Sequence, residues 1–236
     1  RRVLFRSRFY NDMIDECLKN GLTPIMNLHH FDLPVELYKK YGGWESKHVV
    51  DLFVKFAEKA FELFGDRIKY WTTFNEPIVV VEGQYLYKFH YPCLVDGKKA
   101  VQVMFNINLA SAKAIEAYRK GGYNKDGGKI GIVLNLTPSY PRSESKEDLA
   151  AAKFADDFFN NSFLDPAIKG EFPKGLVSTL EKDNVLWNST EEEMSIIKNN
   201  TIDFLGVNYY QPRRVKAREV EFDNRNGWMP GKYFEN

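Results

Sequence analysis

The stretch KIGIVLNL, residues 129–136, carries apolar side chains at almost every position. A strand with one wet face alternates apolar and polar residues. A run without alternation belongs to a strand covered on both faces, as in parallel sheets with crossover helices. The flanking segments fit that reading. Upstream, AVQVMFNINLASAKAIEAYRKGG (100–122) has helical spacing, and RIKYWTTFN (67–75) reads as a strand. Before it, HVVDLFVKFAEKAFELFG (48–65) places Val50, Phe53, Val54, Ala57, Phe61 and Phe64 three and four residues apart and closes on a glycine. TPIMNLHHF (23–31) is a further strand, and FYNDMIDECLKNG (9–21) is a helix with Phe9, Met13, Ile14, Cys17 and Leu18 on one face. Downstream, KEDLAAAKFADDFFNNSFLDPAI (146–168) and TEEEMSIIKNN (190–200) read as helices and TIDFLGVNYY (201–210) as a strand.

Strands alternating with helices specify an α/β fold with a parallel sheet, either doubly wound or a (β/α)8 TIM barrel. No G-x-G-x-x-G and no G-x-x-x-x-G-K-[ST] follows any strand, which removes the support for nucleotide-binding versions. Polar and aromatic residues gather instead at the C-terminal ends of strands: His29, His30 and Phe31; Asn75 and Glu76; Asn208, Tyr209 and Tyr210. A barrel assembles its active site on that face from several strands, so the barrel is favoured, with four strands present. No internal repeat or low-complexity segment is visible.

The composition excludes several partner classes. With 33 basic and 32 acidic residues the net charge is +1, and no basic stripe offers a surface to nucleic acid or anionic membrane. No apolar run approaches the roughly 20 residues of a membrane helix. Cys17 and Cys93 are the only cysteines, too few for a disulfide scaffold or a thiolate metal site, and such usage suits a reducing cytoplasm. Asn160, Asn188 and Asn199 open N-x-[ST] triplets, but no signal peptide is visible and they are read as unglycosylated. Residues 1–7, RRVLFRS, have no helical period and match one reading frame of a short-read library adaptor. They are read as a cloning or sequencing scar, residues 8–236 as a partial barrel domain, and the chain as truncated at both ends.

In YWTTFNEPIVV (70–80), a strand ends on an amide, an acid and a proline. Proline has no N–H for the ladder, so Glu76 stands where the strand stops. A carboxylate there is either a solvated loop residue or a catalytic group at the mouth of the sheet. Asn75 beside it makes a hydrogen-bonding pair suited to a hydroxylated ligand. Trp71, Phe74 and Phe31 are expected to desolvate Glu76 and raise its pKa toward the range of a general acid. His29 and His30, adjacent on a strand, point opposite ways, so one can line the site while the other packs outward. Neither has further ligands at metal spacing; no metal and no cofactor is expected. An aromatic fraction of 15% suits stacking on sugar rings without deciding it.

LHHFDLP (28–34), YGGW (41–44), FGDRIKYWTTFNEP (64–77), FLDPAIKGEFP (163–173) and DFLGVNYY (203–210) together resemble, in order and approximate spacing, the signatures of glycoside hydrolase family 1. The resemblance covers Phe9 to about Tyr210. It implies a (β/α)8 barrel that hydrolyses β-glycosides with retention, no cofactor, and a small-molecule β-glycoside as partner. By resemblance Glu76 is the acid/base and Asn75 binds the sugar 2-hydroxyl. His30 binds a glycone hydroxyl, and Phe31 replaces a frequent tryptophan, keeping its stacking face. Tyr210 holds the nucleophile, and Asn208 lies close to the acid/base.

The resemblance also implies an absence. The family's nucleophile lies in a T-E-N-G on its seventh strand, and no T-E-N-G occurs here. The chain is therefore expected to hold about strands three to six, without the arginine and glutamine that the first two strands supply, and to be inactive alone. NEPIVVVEGQYLYKFHYP and the segment around residues 133–166 look most like bacterial 6-phospho-β-glucosidases, which implies a cytoplasmic enzyme. Two alternatives stand beside that reading: a β-glucosidase or β-galactosidase acting on unphosphorylated sugars, and a non-catalytic sugar-binding partial barrel. Oligomeric state is not readable.

Overall fold

The computed structural model describes the backbone of residues 2–236 and the side chains of residues 7–236, so most of the side chains of the stretch read as a scar lie outside the described residues. The chain begins with α1 (Arg2–Lys19), β1 (Ile25–His29) and α2 (Val35–Tyr41). Next come α3 (Lys47–Phe64), β2 (Tyr70–Asn75) and the short α4 (Pro77–Val81), which runs into a wider π-helical turn at Glu82–Leu86. The long α5 (Gly97–Lys120), β3 (Lys129–Asn135) and β4 (Ser139–Pro141) follow. A second π-helical turn (Asp157–Asn161) separates α6 (Lys146–Asp156) from α7 (Ser162–Lys169), so the single helix expected over 146–168 is broken there. The last elements are α8 (Lys174–Lys182), α9 (Glu191–Asn199), β5 (Phe204–Asn208) and β6 (Arg213–Val215).

β1, β2, β3 and β5 form a four-stranded sheet in that order, and every neighbouring pair is parallel. The order never reverses. A doubly wound sheet must reverse at its switch point, whereas a barrel adds each strand beside the last. The sheet is an arc of a (β/α)8 barrel. A separate pair, β4 with β6, lies beyond the C-terminal ends of β3 and β5.

The core fills the space between the sheet and its helices. Trp71 packs edge-on against Phe61 of α3, and Thr73 shares a 2.7 Å hydrogen bond with Ser111 of α5. Buried amides are satisfied through backbone: Asn106 Nδ2 donates to the carbonyls of Trp44 and Glu45, and Asn108 Nδ2 to those of Met104 and Ser162. At the start of β5, Asp203 accepts from Arg119 and from the Ile130 N–H, which sets the register of β5 on β3.

His29 is part of this core. It is 5% exposed, lies among Trp44, Phe53 and Phe74, and neither ring nitrogen has a partner among the described residues. Burial lowers its pKa from 6.5 to about 4, with Asp32 opposing the shift and His30 adding to it. A base with a depressed folded-state pKa contributes stability above its unfolded value and loses it on acidification. Between pH 6.5 and 4 the unfolded chain takes up a proton that the folded chain refuses, at a cost of up to about 3 kcal/mol. Thermal unfolding followed across that window is expected to show His29→Phe losing less stability than the parent by about that amount; equal slopes would contradict it.

Candidate active site

The site is built where β2 meets α4. In step with β1, β2 pairs Asn27 with Thr72 and His29 with Phe74, but against β3 it gains a residue: Thr72 faces Gly131 and Asn75 faces Val133. This bulge lets two successive residues, Thr73 and Phe74, both pack on the helix side, against Ser111 and against Trp44 and Phe53. Asn75 is thereby turned to the other face, the re-aiming that bulges beside active sites perform. The chain then turns sharply. Glu76 has φ +49 and ψ +56, a left-handed conformation costing a non-glycine residue about 1 kcal/mol or more. Its N–H donates to the Val133 carbonyl at 2.8 Å and its own carbonyl accepts from Val79 at 2.9 Å, which hold the turn. Pro77 follows as the first residue of α4, where a missing N–H costs nothing.

Glu76 is 6% exposed. Its Oε1 accepts from Asn208 Nδ2 at 2.6 Å and from the Tyr210 hydroxyl at 2.7 Å. Both bonds are short, and among the described residues no protein group donates to Oε2. Asn208 Nδ2 also lies 3.3 Å from Asn75 Oδ1, and Asn75 Nδ2 lies 3.4 Å from His30 Nε2. A polar line therefore runs from His30 at the end of β1 through Asn75 and Asn208 to Glu76. The hydrogen bond with Glu76 raises the Tyr210 phenol above the usual tyrosine range. Phe31, left-handed at φ +70, packs edge-on against His30 and tilted against His90. A cleft of about 270 Å³ opens beside His30 and Phe31, with Asp32, Tyr38, Gln84 and His90 in its walls.

The structure thus brings together Glu76, Asn75, His30, Asn208 and Tyr210, with Phe31 at the edge of the group. The aromatics expected around Glu76 each pack against other rings. Trp71 faces Phe61, Phe74 faces His29, Trp44 and Phe53, and Phe31 stands on His30. The bulge accounts for Phe74, which goes to the helix side while Asn75 and Glu76 turn away. Of the two histidines, His29 packs into the core and His30 reaches the site.

Sequence reading passed over one half-buried pair. Glu82, at the end of the apolar run PIVVV, lies 3.7 Å from Arg213 Nη2. Burial raises its carboxyl to about 7, although the Arg213 charge pulls the other way. A lone acid inside an apolar helical run was the visible signal; its partner, far along the chain, was not. Among the described residues no cluster of three or more His, Cys, Asp or Glu is gathered for a metal, and no helix is long and apolar enough to cross a membrane.

Known proteins share this arrangement of sequence and fold. The family model described as Glycosyl hydrolase family 1 matches residues 7–228. The 6-phospho-beta-glucosidase GmuD of Bacillus subtilis is 54% identical over 96% of the chain and 48% of its own length. A 6-phospho-beta-galactosidase of Clostridium acetobutylicum is 41% identical over 91% of the chain and 46% of its own length. Among solved structures, virulence factor SghA from Agrobacterium tumefaciens superposes with a TM-score of 0.84 at 34% identity, covering 91% of the chain and 46% of its own. The chain spans about half the length of the curated relatives it matches.

Proposed function

The chain belongs to glycosyl hydrolase family 1, and from that premise we propose that it supplies the acid/base half of a retaining β-glycosidase acting on 6-phospho-β-glucosides. The observation that carries the catalytic part is the carboxylate of Glu76, whose Oε1 is held at a strand end by Asn208 and Tyr210. In this reading Oε2 is the oxygen that exchanges the proton with substrate and water. In the first step Glu76 gives it to the glycosidic oxygen as the bond to the anomeric carbon breaks and the nucleophile's carboxylate adds there. In the second, Glu76 takes a proton from water, which displaces the nucleophile and restores the β configuration. The nucleophile is assigned to a part of the complete protein outside these residues.

The remaining side chains suit the sugar. Asn75 is assigned to the 2-hydroxyl, whose hydrogen bonds strengthen in an oxocarbenium-like transition state. His30 is assigned to a second glycone hydroxyl, and Phe31 to the apolar edge of the ring. With Asn75 and Asn208 bridging them, these donors are set before substrate arrives, which limits reorganisation during the reaction.

Support for a phosphorylated substrate comes from the 54% identity to GmuD and from the sequence after Glu76. Sugars phosphorylated during uptake occur inside the cell, so the same reading makes the protein cytoplasmic. The test compares nitrophenyl β-glucoside 6-phosphate with nitrophenyl β-glucoside on the purified complete protein. Two or three charge-assisted bonds to a phosphate predict a kcat/KM ratio of about 100 or more in favour of the phosphorylated compound. A ratio near or below unity assigns the protein to β-glucosidases or β-galactosidases. Sugar binding without turnover of either would leave the non-catalytic alternative.

A further inference from the structure

We propose that Asn160 is a positioning residue: it fixes the turn after β3, and that turn sets Asn208 against Glu76. The consequence for the reaction rests on the acid/base reading of Glu76; the placement does not. In the sequence Asn160 stands out only as the first residue of an N-x-[ST] triplet. In the fold it is 5% exposed and both ends of its amide are engaged. Oδ1 accepts from the Thr137 N–H at 2.9 Å. Nδ2 donates to the Thr137 carbonyl at 2.9 Å and to Asp156 Oδ1 at 2.6 Å.

Asparagine is a poor residue for a helix interior, since its side chain competes for backbone groups. Here that competition is used. Asn160 lies in the π-helical turn Asp157–Asn161, where Asp157, Phe158, Phe159 and Asn160 are buried in succession. One face of a regular α-helix does not bury consecutive residues in that way, and π-helical turns recur at functional sites. From this turn Asn160 grips both the N–H and the carbonyl of one residue, Thr137, as a neighbouring strand would. Asp156 adds a hold on the Ser139 N–H at 3.3 Å.

Residues 136–138 in their turn hold the connection between β5 and β6 at both of its ends. The Leu136 N–H donates to the Asn208 carbonyl at 3.1 Å, and the Pro138 carbonyl accepts from the Arg213 N–H at 2.8 Å. Phe159, next to Asn160, lies 3.9 Å from the Arg213 guanidinium and supports the same end. Asn208 Nδ2 then meets Glu76 Oε1 at 2.6 Å and Asn75 Oδ1 at 3.3 Å. Bonds that short depend closely on angle, so a backbone shift at Asn208 loosens them. Satisfying the Thr137 backbone groups is a structural use of Asn160; setting Asn208 is a functional one, and the two predict different results.

The experiment is a double-mutant cycle in the complete protein, with a β-glycoside carrying an alkyl leaving group, phosphorylated or free according to the substrate preference found. Asn160→Ala is expected to lower kcat about tenfold with KM within about twofold. In the Asn208→Ala background the same change should lower kcat by less than about twofold, because the contact that it sets is already gone. Asn160→Ser leaves a small polar group in the space; it covers the case in which the alanine variant fails to fold, and the same pattern is expected of it. The placement is also read without turnover, from hydrogen exchange of the Asn208 side-chain amide by ¹⁵N NMR, assigned by its loss in Asn208→Ala. That exchange should run about tenfold faster in Asn160→Ala than in the parent. Equal losses of kcat in both backgrounds, an Asn208→Ala variant as fast as the parent, or unchanged exchange in a folded Asn160 variant overturns the proposal. Failure of the glycosidase reading shows separately, as a parent protein without turnover in which Asn160→Ala still speeds the exchange.

Discussion

In the complete protein, Glu76→Ala is expected to lower kcat/KM by about 10³-fold for β-glycosides with alkyl or sugar leaving groups, the middle to upper range for loss of general acid catalysis. Compounds with a strongly acidic phenol as leaving group should fare differently. Their oxygen departs without a proton, so the glycosyl-enzyme forms at a rate within about tenfold of the parent. It then waits, because the base that activates water is the same missing carboxylate. Steady-state rates should fall while a burst of phenol, equal to the enzyme present, appears first. Tyr210→Phe removes one bond to Oε1, Asn208→Ala removes the other together with the contact to Asn75, and each should cost less than loss of Glu76 itself.

The 236 residues alone are expected to show no hydrolysis of aryl β-glucosides or their 6-phosphates, at least about 10⁴-fold below the complete protein, because retaining chemistry without its nucleophile has no covalent route. The hydrogen-bonded group around Glu76 contains no second carboxylate among the described residues. The same chain should self-associate. β1 and β5 are the outer strands of the sheet, each with an unpaired edge, and Ile25 on one and Val207 on the other are 62% and 53% exposed. Barrels remove such edges by closure; an arc displays both beside apolar surface. Size-exclusion chromatography should therefore give oligomers, and supplying the remaining barrel strands as a second polypeptide should restore both a discrete species and turnover. A cooperative monomer, or turnover by the lone chain that disappears on Glu76→Gln, would contradict this.

The barrel arc was legible because its cause is local. IGIVL has no alternation, Gly65 and Gly21 follow helical periods, and Pro77 marks a strand end whatever the rest of the chain does. The opposite fates of His29 and His30 follow from the two-residue period of a strand. The orientation of Glu76 was less legible. It depends on a bulge between Thr72 and Asn75 and on a left-handed turn, neither of which has a signature in YWTTFNEP. Alternation extended through that bulge misplaces Phe74, which packs on the helix side against Trp44 and Phe53. Short helices such as α2 and α4 span too few turns for a period to show. Glu82 with Arg213 needs two segments brought together by the closing of β5 on β3, which no single stretch of sequence reports.

The central claim is that Glu76 is the acid/base of a double displacement. Its most direct test adds azide to Glu76→Ala in the complete protein with an activated aryl β-glycoside, phosphorylated or free according to the substrate preference found. Azide needs no general base to attack the glycosyl-enzyme. Turnover should rise by about 10-fold to 100-fold, recovering part of the roughly 10²- to 10⁴-fold contribution of the lost base, and the product should be the β-glycosyl azide. If azide leaves the rate unchanged, or if Glu76→Ala slows good and poor leaving groups alike, Glu76 is not the acid/base.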